Sequence, residues 1–245
     1  MNFLIQCSKE EEKKKALFVA GLALLLVACT VKKTTVSDAK KIKEEYESYN
    51  GKIREKTGLE NRTVSIDEDN PFVYITSDEL IKKIENKENF YLYFGSPLCP
   101  WCRSSIEMAI ETAKENNIET VYYLNIWDEN GNEIFRDLYS IVNGNLIKKT
   151  EGDPNYYKFL EYFDAYLDDY VLMNGDEEVM VGEKRLYIPL YLHIENGDII
   201  QMSDAQADSQ TDANQKLTEQ MKTEQKEKLE TVFKTSNACS IETRC

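Results

Sequence analysis

Phe90-Tyr91-Leu92-Tyr93-Phe94-Gly95-Ser96-Pro97-Leu98-Cys99-Pro100-Trp101-Cys102 is the stretch whose reading decides the fold. Its first six residues are an unbroken apolar and aromatic run, the pattern of a strand buried on both faces. Ser96-Pro97 ends that run. Beyond it the spacing changes: Cys102, Ile106, Ala109, Ile110 and Ala113 recur at i, i+4, i+7, i+8 and i+11, which predicts a helix with one buried stripe. A C-x-x-C pair therefore stands where a buried strand hands over to the first turn of a helix. Unpaired N–H groups and the positive end of the helix dipole stabilise a thiolate there. Pro100 suits that turn, where its missing N–H is no loss. Cys99, at the helix start, reads as the exposed nucleophile, and Cys102, one turn in, as the core-facing resolving thiol. A lowered thiol pKa makes Cys99 both attacker and leaving group. Half a zinc site is the competing reading of C-x-x-C. A four-cysteine site is disfavoured because Cys102 should face the core and Cys99 solvent, so no metal or other cofactor is expected.

Outward from this junction the chain alternates between strand and helix patterns. Upstream, Thr63–Asp67 and Phe72–Thr76 read as extended segments around the Asp69-Asn70-Pro71 turn. Ser77 opens a helix as its N-cap, with Leu80, Ile81 and Ile84 facing inward. Downstream, Asn116-Asn117 stops the C-x-x-C helix and Ile118–Ile126 reads as the next strand. Residues from about 128 to 184 are expected to be a mostly helical insertion, with one stripe running from Tyr156 through Phe163 to Tyr170. Then come a strand over Arg185–Ile194, a hairpin turn at Glu195–Asp198 and a return strand at Ile199–Met202. Ser203–Gln215 reads as a flexible polar loop, and Leu217–Phe233 as a closing helix. The order β-α-β-α-β, insertion, β-hairpin, helix implies an α/β sheet with a short antiparallel edge.

The segment from Phe94 to Cys102, followed by a helix, resembles the active-site segment of the thioredoxin-like superfamily. A second mark of that superfamily is a cis proline facing the dithiol ahead of a late strand. Ile188-Pro189 occupies that place in the order of elements. The resemblance covers about residues 72–233 and implies a thioredoxin-like fold: a central mixed sheet flanked by helices, with a helical insertion before the cis-proline strand. It also implies that Pro189 and Ile188, with Pro100 and Trp101, position substrate beside Cys99. Trp101 reads equally well as a substrate platform and as a ring folded onto its own helix. The whole pattern is similar to the thioredoxin-like lipoproteins of Gram-positive bacteria, some of them bacteriocin-transport accessory proteins. Two positions depart from thioredoxin, which buries an acid where this chain has Tyr93 and carries a lysine where it has Tyr123. Proton handling at Cys102 must then take another form. The Pro100-Trp101 dipeptide differs from thioredoxin's Gly-Pro, and the direction of electron flow does not follow from it.

The 245-residue chain has a net charge of -14, which argues against nucleic acid as a partner because phosphate would be repelled. Lys13-Lys14-Lys15 precedes the apolar run Ala16–Ala28, whose thirteen residues would cover about 20 Å as a helix, short of a roughly 30 Å hydrocarbon core. Basic residues before a short apolar run read as an export signal, although the acidic Glu10-Glu11-Glu12 ahead of them is unusual. Leu26-Val27-Ala28-Cys29 resembles the lipobox of bacterial lipoproteins, which implies cleavage before Cys29 and a lipid on its thiol. The organisation expected is a signal at 1–28, a polar tether at 29–61 and a thioredoxin-like domain at 62–245. Cys239 and Cys245 read as a structural disulfide in an oxidising compartment or, alternatively, as a relay that exchanges with Cys99 and Cys102. His193, the one histidine, reads as a strand residue.

These readings converge on a lipid-anchored thiol–disulfide oxidoreductase on the outer face of the cell membrane. Its partners would be exported cysteine-containing proteins and a membrane redox protein. The alternative is an accessory protein of the same fold that acts by docking, for instance in peptide export.

Overall fold

The computed structural model describes residues 36–55 and 57–234. The expected export signal, the expected lipidation site Cys29 and the C-terminal pair Cys239 and Cys245 lie outside the described residues. The protein is an α/β domain built on a five-stranded mixed sheet flanked by helices. Its sheet strands are β1 (Phe72–Tyr74), β2 (Phe90–Gly95), β3 (Val121–Asn125), β8 (Leu190–Glu195) and β9 (Asp198–Ser203), in the spatial order β1-β3-β2-β8-β9. β3 runs parallel to both β1 and β2, whereas β8 is antiparallel to β2 and β9 antiparallel to β8. Thus β2, the run that opens the decisive stretch, is the central strand.

Strand alternation sorts the core into two layers. Leu92 and Phe94 of β2, with Leu190, Leu192 and Ile194 of β8, face helices α2 (Ser77–Glu85) and α4 (Asn155–Phe163). Tyr93 and Tyr191 face the other way. There they join the stripe of α3 (Pro100–Glu115), the end of α5 (Glu219–Phe233), and Ile42 and Tyr46 of α1 (Asp38–Ser48). All five expected stripe positions of α3, from Cys102 to Ala113, are buried. The helix stops at Asn116, and Asn117 takes a left-handed conformation with φ of 57°.

Five expectations are corrected. The insertion is mainly β: hairpin β4–β5 (Leu138–Val142, Asn145–Thr150) and hairpin β6–β7 (Asp168–Asn174, Glu177–Arg185) leave α4 as its one α-helix. The aromatic stripe does follow α4 through Phe163, but Tyr170 belongs to β6. Arg185 likewise ends β7, and the strand after Pro189 starts only at Leu190. Residues 37–61 are no free tether, because α1 buries Ile42 and Tyr46 completely. The stretch 203–215 is packed as well: Ala205, Ala207 and Ala213 are buried, and Gln210 donates to Ser104 Oγ at 2.9 Å. Finally, Thr76 rather than Ser77 caps α2, through a reciprocal pair of bonds with Glu79.

Val64 and Ile66 do alternate inward as a strand would, yet no strand pairs with them. Side chains of α1 and the turn after it take that role. Val64 N–H donates to Asn50 Oδ1 at 3.0 Å, Asn50 Nδ2 donates back to Val64 O at 2.8 Å, and Ile66 N–H donates to Glu47 Oε1 at 2.9 Å.

Candidate functional site

Cys99 is the N-cap of α3 and Pro100 its first helical residue, so the helix begins on the sulfur-bearing residue. Cys99 N–H donates to Ser96 O at 3.1 Å, and Cys99 O accepts from Arg103 N–H at 3.0 Å. Both thiols are free. The expected asymmetry is present but small: Cys99 is 4% exposed and Cys102 fully buried. Cys99 therefore reaches solvent through a cleft rather than from an open surface. Its thiol pKa lies below the ordinary value because the Cys102 thiol donates to its sulfur, and the backbone N–H groups of Cys102 and Trp101 add to that against the opposing effect of burial. Cys102 is pushed well above the ordinary value by burial, by its bond to Cys99 and by the charge on that neighbour. One sulfur is poised to ionise and the other to stay protonated.

Beneath Cys102 lies a cluster of four tyrosines. Tyr93 stacks on Tyr191 at 4.5 Å and on Tyr123 at 5.1 Å between ring centroids. Tyr46 and Tyr93 share a hydrogen bond of 2.8 Å and Tyr191 and Ser105 one of 3.0 Å, and the Tyr93 hydroxyl acts to lower the Cys102 pKa against burial. Burial holds all four phenols above their ordinary range, so they stay protonated. Gly95 makes room for this arrangement. A Cβ there would fall inside the van der Waals radii of Tyr93 Cζ and Oη, two residues back on the same face of β2.

The Ile188-Pro189 bond is cis, and Ile188 O stands 3.7 Å from Cys99 Sγ. The structure thus brings Cys99, Cys102, Ile188 and Pro189 together. Trp101 is half-buried against the core and also lines a groove of about 790 Å³ with Tyr187, Pro189, Met202 and Lys228. A second cleft of about 370 Å³, lined by Cys99, Trp127, Glu133, Arg136 and Tyr187, opens on the other side. Arg185, Tyr187 and Ile188 border both. His193 stays a strand residue, stacked on Tyr91 at 4.5 Å and away from the dithiol's clefts.

Sequence reasoning missed Arg103, Tyr46 and Arg185. Arg103 follows Cys102 directly and is completely buried, and among the described residues no carboxylate pairs with it within ion-pair distance. It donates instead to Tyr46 O at 2.8 Å, Pro97 O at 3.1 Å, Asn50 Oδ1 at 2.6 Å and Arg62 O at 2.6 Å. It thereby ties the loop before Cys99 to the segment after α1. The Ile42–Tyr46 spacing of i, i+4 was the available signal that α1 packs. No comparable pattern marked Arg103.

Fold and site together define a class: an α/β domain holding a vicinal dithiol of opposed thiol acidities at a helix start, beside a cis proline. No protein-family model matches the chain, and no curated protein matches its sequence.

Proposed function

We propose that the protein is a thiol–disulfide oxidoreductase with a thioredoxin-like fold. The observation that carries this reading is the free C-x-x-C pair at the start of α3, with Cys99 as its N-cap and Cys102 fully buried one turn in, an arrangement that lowers the Cys99 pKa and raises that of Cys102. The fold reading is supported by the sheet order β1-β3-β2-β8-β9, with β8 and β9 as an antiparallel edge, and by the place of Ile188-Pro189 before β8. In the reduced protein, the Cys99 thiolate attacks one sulfur of a substrate disulfide. A mixed disulfide forms, and the other substrate sulfur leaves as a thiolate and takes a proton. Cys102 then loses its proton and attacks Cys99 Sγ, which releases the second substrate thiol and leaves a Cys99–Cys102 disulfide. Two electrons and two protons pass to the substrate, and the reverse sequence oxidises a substrate dithiol. Ile188, Pro189 and Trp101 border the clefts where the substrate chain would lie.

The basic residues, short apolar run and lipobox-like Leu26-Val27-Ala28-Cys29 support a site of action outside the cytoplasm, with the chain anchored by lipid on Cys29. Exported cysteine-containing proteins would be its substrates, and a membrane redox protein would regenerate it. Trapping tests the reading. A Cys102→Ala variant should accumulate mixed disulfides between Cys99 and cell-envelope proteins, absent when Cys99 is also replaced. If none accumulates, the enzyme reading fails and a docking role takes its place.

A further inference from the structure

Arg185 is the cation nearest to an unanswered charge in the clefts beside the dithiol. Its guanidinium carbon lies 4.3 Å from the Tyr187 ring centroid and 5.1 Å from that of Tyr170. Arg136 approaches the same Tyr170 ring at 4.5 Å, so two guanidiniums are gathered around one buried phenol. Arg136 is answered by Glu133, at 3.4 Å. Among the described residues no carboxylate comes within ion-pair distance of Arg185, and its buried Nε has no hydrogen-bond partner. Asp168 faces it across the β6–β7 ladder without pairing to it. This happens in a chain with 44 acidic against 30 basic residues, where a carboxylate partner is easily found.

Position gives that charge a use. Arg185 borders both the Cys99 cleft and the Trp101 groove, three residues before the Ile188 carbonyl that stands 3.7 Å from Cys99 Sγ. In the groove, Asp168 and Asp204 would repel an anion, and Lys228 is already paired with Asp208 at 2.6 Å. In the Cys99 cleft, Glu133 and Arg136 cancel and Arg185 is left over.

We propose that Arg185 is a specificity residue, accepting in the Cys99 cleft a carboxylate that the substrate polypeptide carries close to its reacting cysteine. The inference rests on the oxidoreductase reading above and narrows its substrates to cysteines with acidic neighbours. Ring contacts on two sides hold the guanidinium in place, so little side-chain freedom is lost when a carboxylate docks.

The test uses the full-length chain with its Cys99–Cys102 disulfide formed and three cysteine peptides that differ only in a neighbouring Glu, Gln or Lys. A peptide thiolate attacks Cys99 Sγ, the Cys99–Cys102 bond breaks, and Cys102 leaves as a thiolate and is protonated. A second peptide thiolate then attacks the peptide sulfur of the mixed disulfide and frees Cys99. Two peptide thiols become one peptide disulfide, and the protein takes up the two electrons and two protons. Initial rates come from acid-quenched samples read by mass spectrometry.

The Glu-over-Gln rate ratio should be about fivefold higher in wild type than in Arg185→Gln, and Arg185→Lys should keep part of it. Arg185→Glu should favour the Lys peptide. Comparing ratios between proteins cancels the intrinsic reactivity of each peptide thiol. Equal ratios in wild type and Arg185→Gln overturn the Arg185 inference and leave the enzyme reading standing. Failure of every peptide to react faster than with a small model disulfide overturns the enzyme reading instead. Should Arg185→Gln not fold, salt decides: the wild-type preference must shrink between about 0.05 and about 0.5 M salt, and a constant preference overturns the inference.

Discussion

The hydroxyls of Tyr46 and Tyr93 lie 2.8 Å apart, so α1 and β2 meet in a hydrogen bond beneath the dithiol, and the Tyr93 phenol draws the Cys102 pKa down against the effect of burial. Tyr93 is completely buried in the same core cluster as Cys102. A phenol there differs from a carboxylate in one decisive way: burial keeps it protonated. It therefore serves as a hydrogen-bond donor to a thiolate on Cys102 and adds no charge that would oppose that thiolate.

Tyr93→Phe removes that donor and leaves the buried Tyr46 hydroxyl without its partner. Equilibrium unfolding of the reduced protein should show a loss of about 1–3 kcal/mol, the usual consequence of orphaning a buried polar group. In quenched exchange reactions the mixed disulfide should persist about tenfold longer, because the Cys102 thiolate has lost a hydrogen bond. Alkylation of Cys99 should barely change. A variant with unaltered stability and resolution rate would show that the phenol pair is mere packing.

Tyr123→Phe should do the opposite to stability. Tyr123 is fully buried, and among the described residues its hydroxyl has no hydrogen-bond partner. Its ring still stacks on Tyr93 and Tyr74, which phenylalanine can also do. Removing an unsatisfied hydroxyl while keeping the ring should be neutral or stabilising by up to about 1 kcal/mol. Thermal unfolding of the two single variants side by side checks the contrast. A destabilisation as large as that of Tyr93→Phe would refute it.

The two thiols predict a pH signature of definite sign. Cys99 ionises below the ordinary thiol value of about 8.5, so its iodoacetamide reaction in the reduced protein should have its midpoint below that pH. Cys102 should resist alkylation until the protein unfolds. Depression of the Cys99 pKa favours the folded state at pH above the unfolded thiol value, and this contribution is lost as pH falls through the folded value. Cys102, raised, works the other way: its contribution is complete below about 8.5 and is lost as pH rises further. Stability of the reduced protein relative to Cys99→Ser should accordingly climb with pH up to about 8.5. A flat difference across that range would contradict the assigned asymmetry.

What was legible in the sequence was what periodicity and local chemistry encode. β2, α3 and the inward stripe from Cys102 to Ala113 follow from short-range patterns that burial then obeys. The insertion misled because Tyr156, Phe159 and Phe163 make a true helical stripe in α4, whose spacing was carried on to Tyr170. Past Phe163, the Asn174-Gly175 turn, with Gly175 at φ of 66°, was the local sign of a hairpin. The polar 203–215 stretch misled for a different reason. Its anchors are small alanines and a glutamine, and Gln210 exchanges side-chain hydrogen bonds with Ser104, 106 residues away. Contacts of that range leave no periodic trace. The same holds for Arg185, whose meaning lies in the rings around it and in the carboxylate it lacks.

Arg103→Met tests how the packed N-terminal segment supports the dithiol. The buried guanidinium donates to Tyr46 O, Pro97 O, Asn50 Oδ1 and Arg62 O, and methionine matches much of its volume but none of its donors. Three backbone carbonyls and one amide oxygen would be left buried together. Asn50 Oδ1 retains the Val64 N–H and the other three have lost a charged donor, so a penalty of about 3 kcal/mol is expected. The damage should be local in character. Residues 37–62 and the Ser96–Leu98 loop should lose hydrogen-exchange protection first, because Arg103 is the side chain that joins them, while β8 and β9 keep theirs. Release of that loop would also free the Cys99 N–H bond to Ser96 O, and reduced Cys99 should become more accessible to alkylation. Uniform loss of protection across the sheet would instead mean that Arg103 stabilises the domain as a whole, with no special claim on the site.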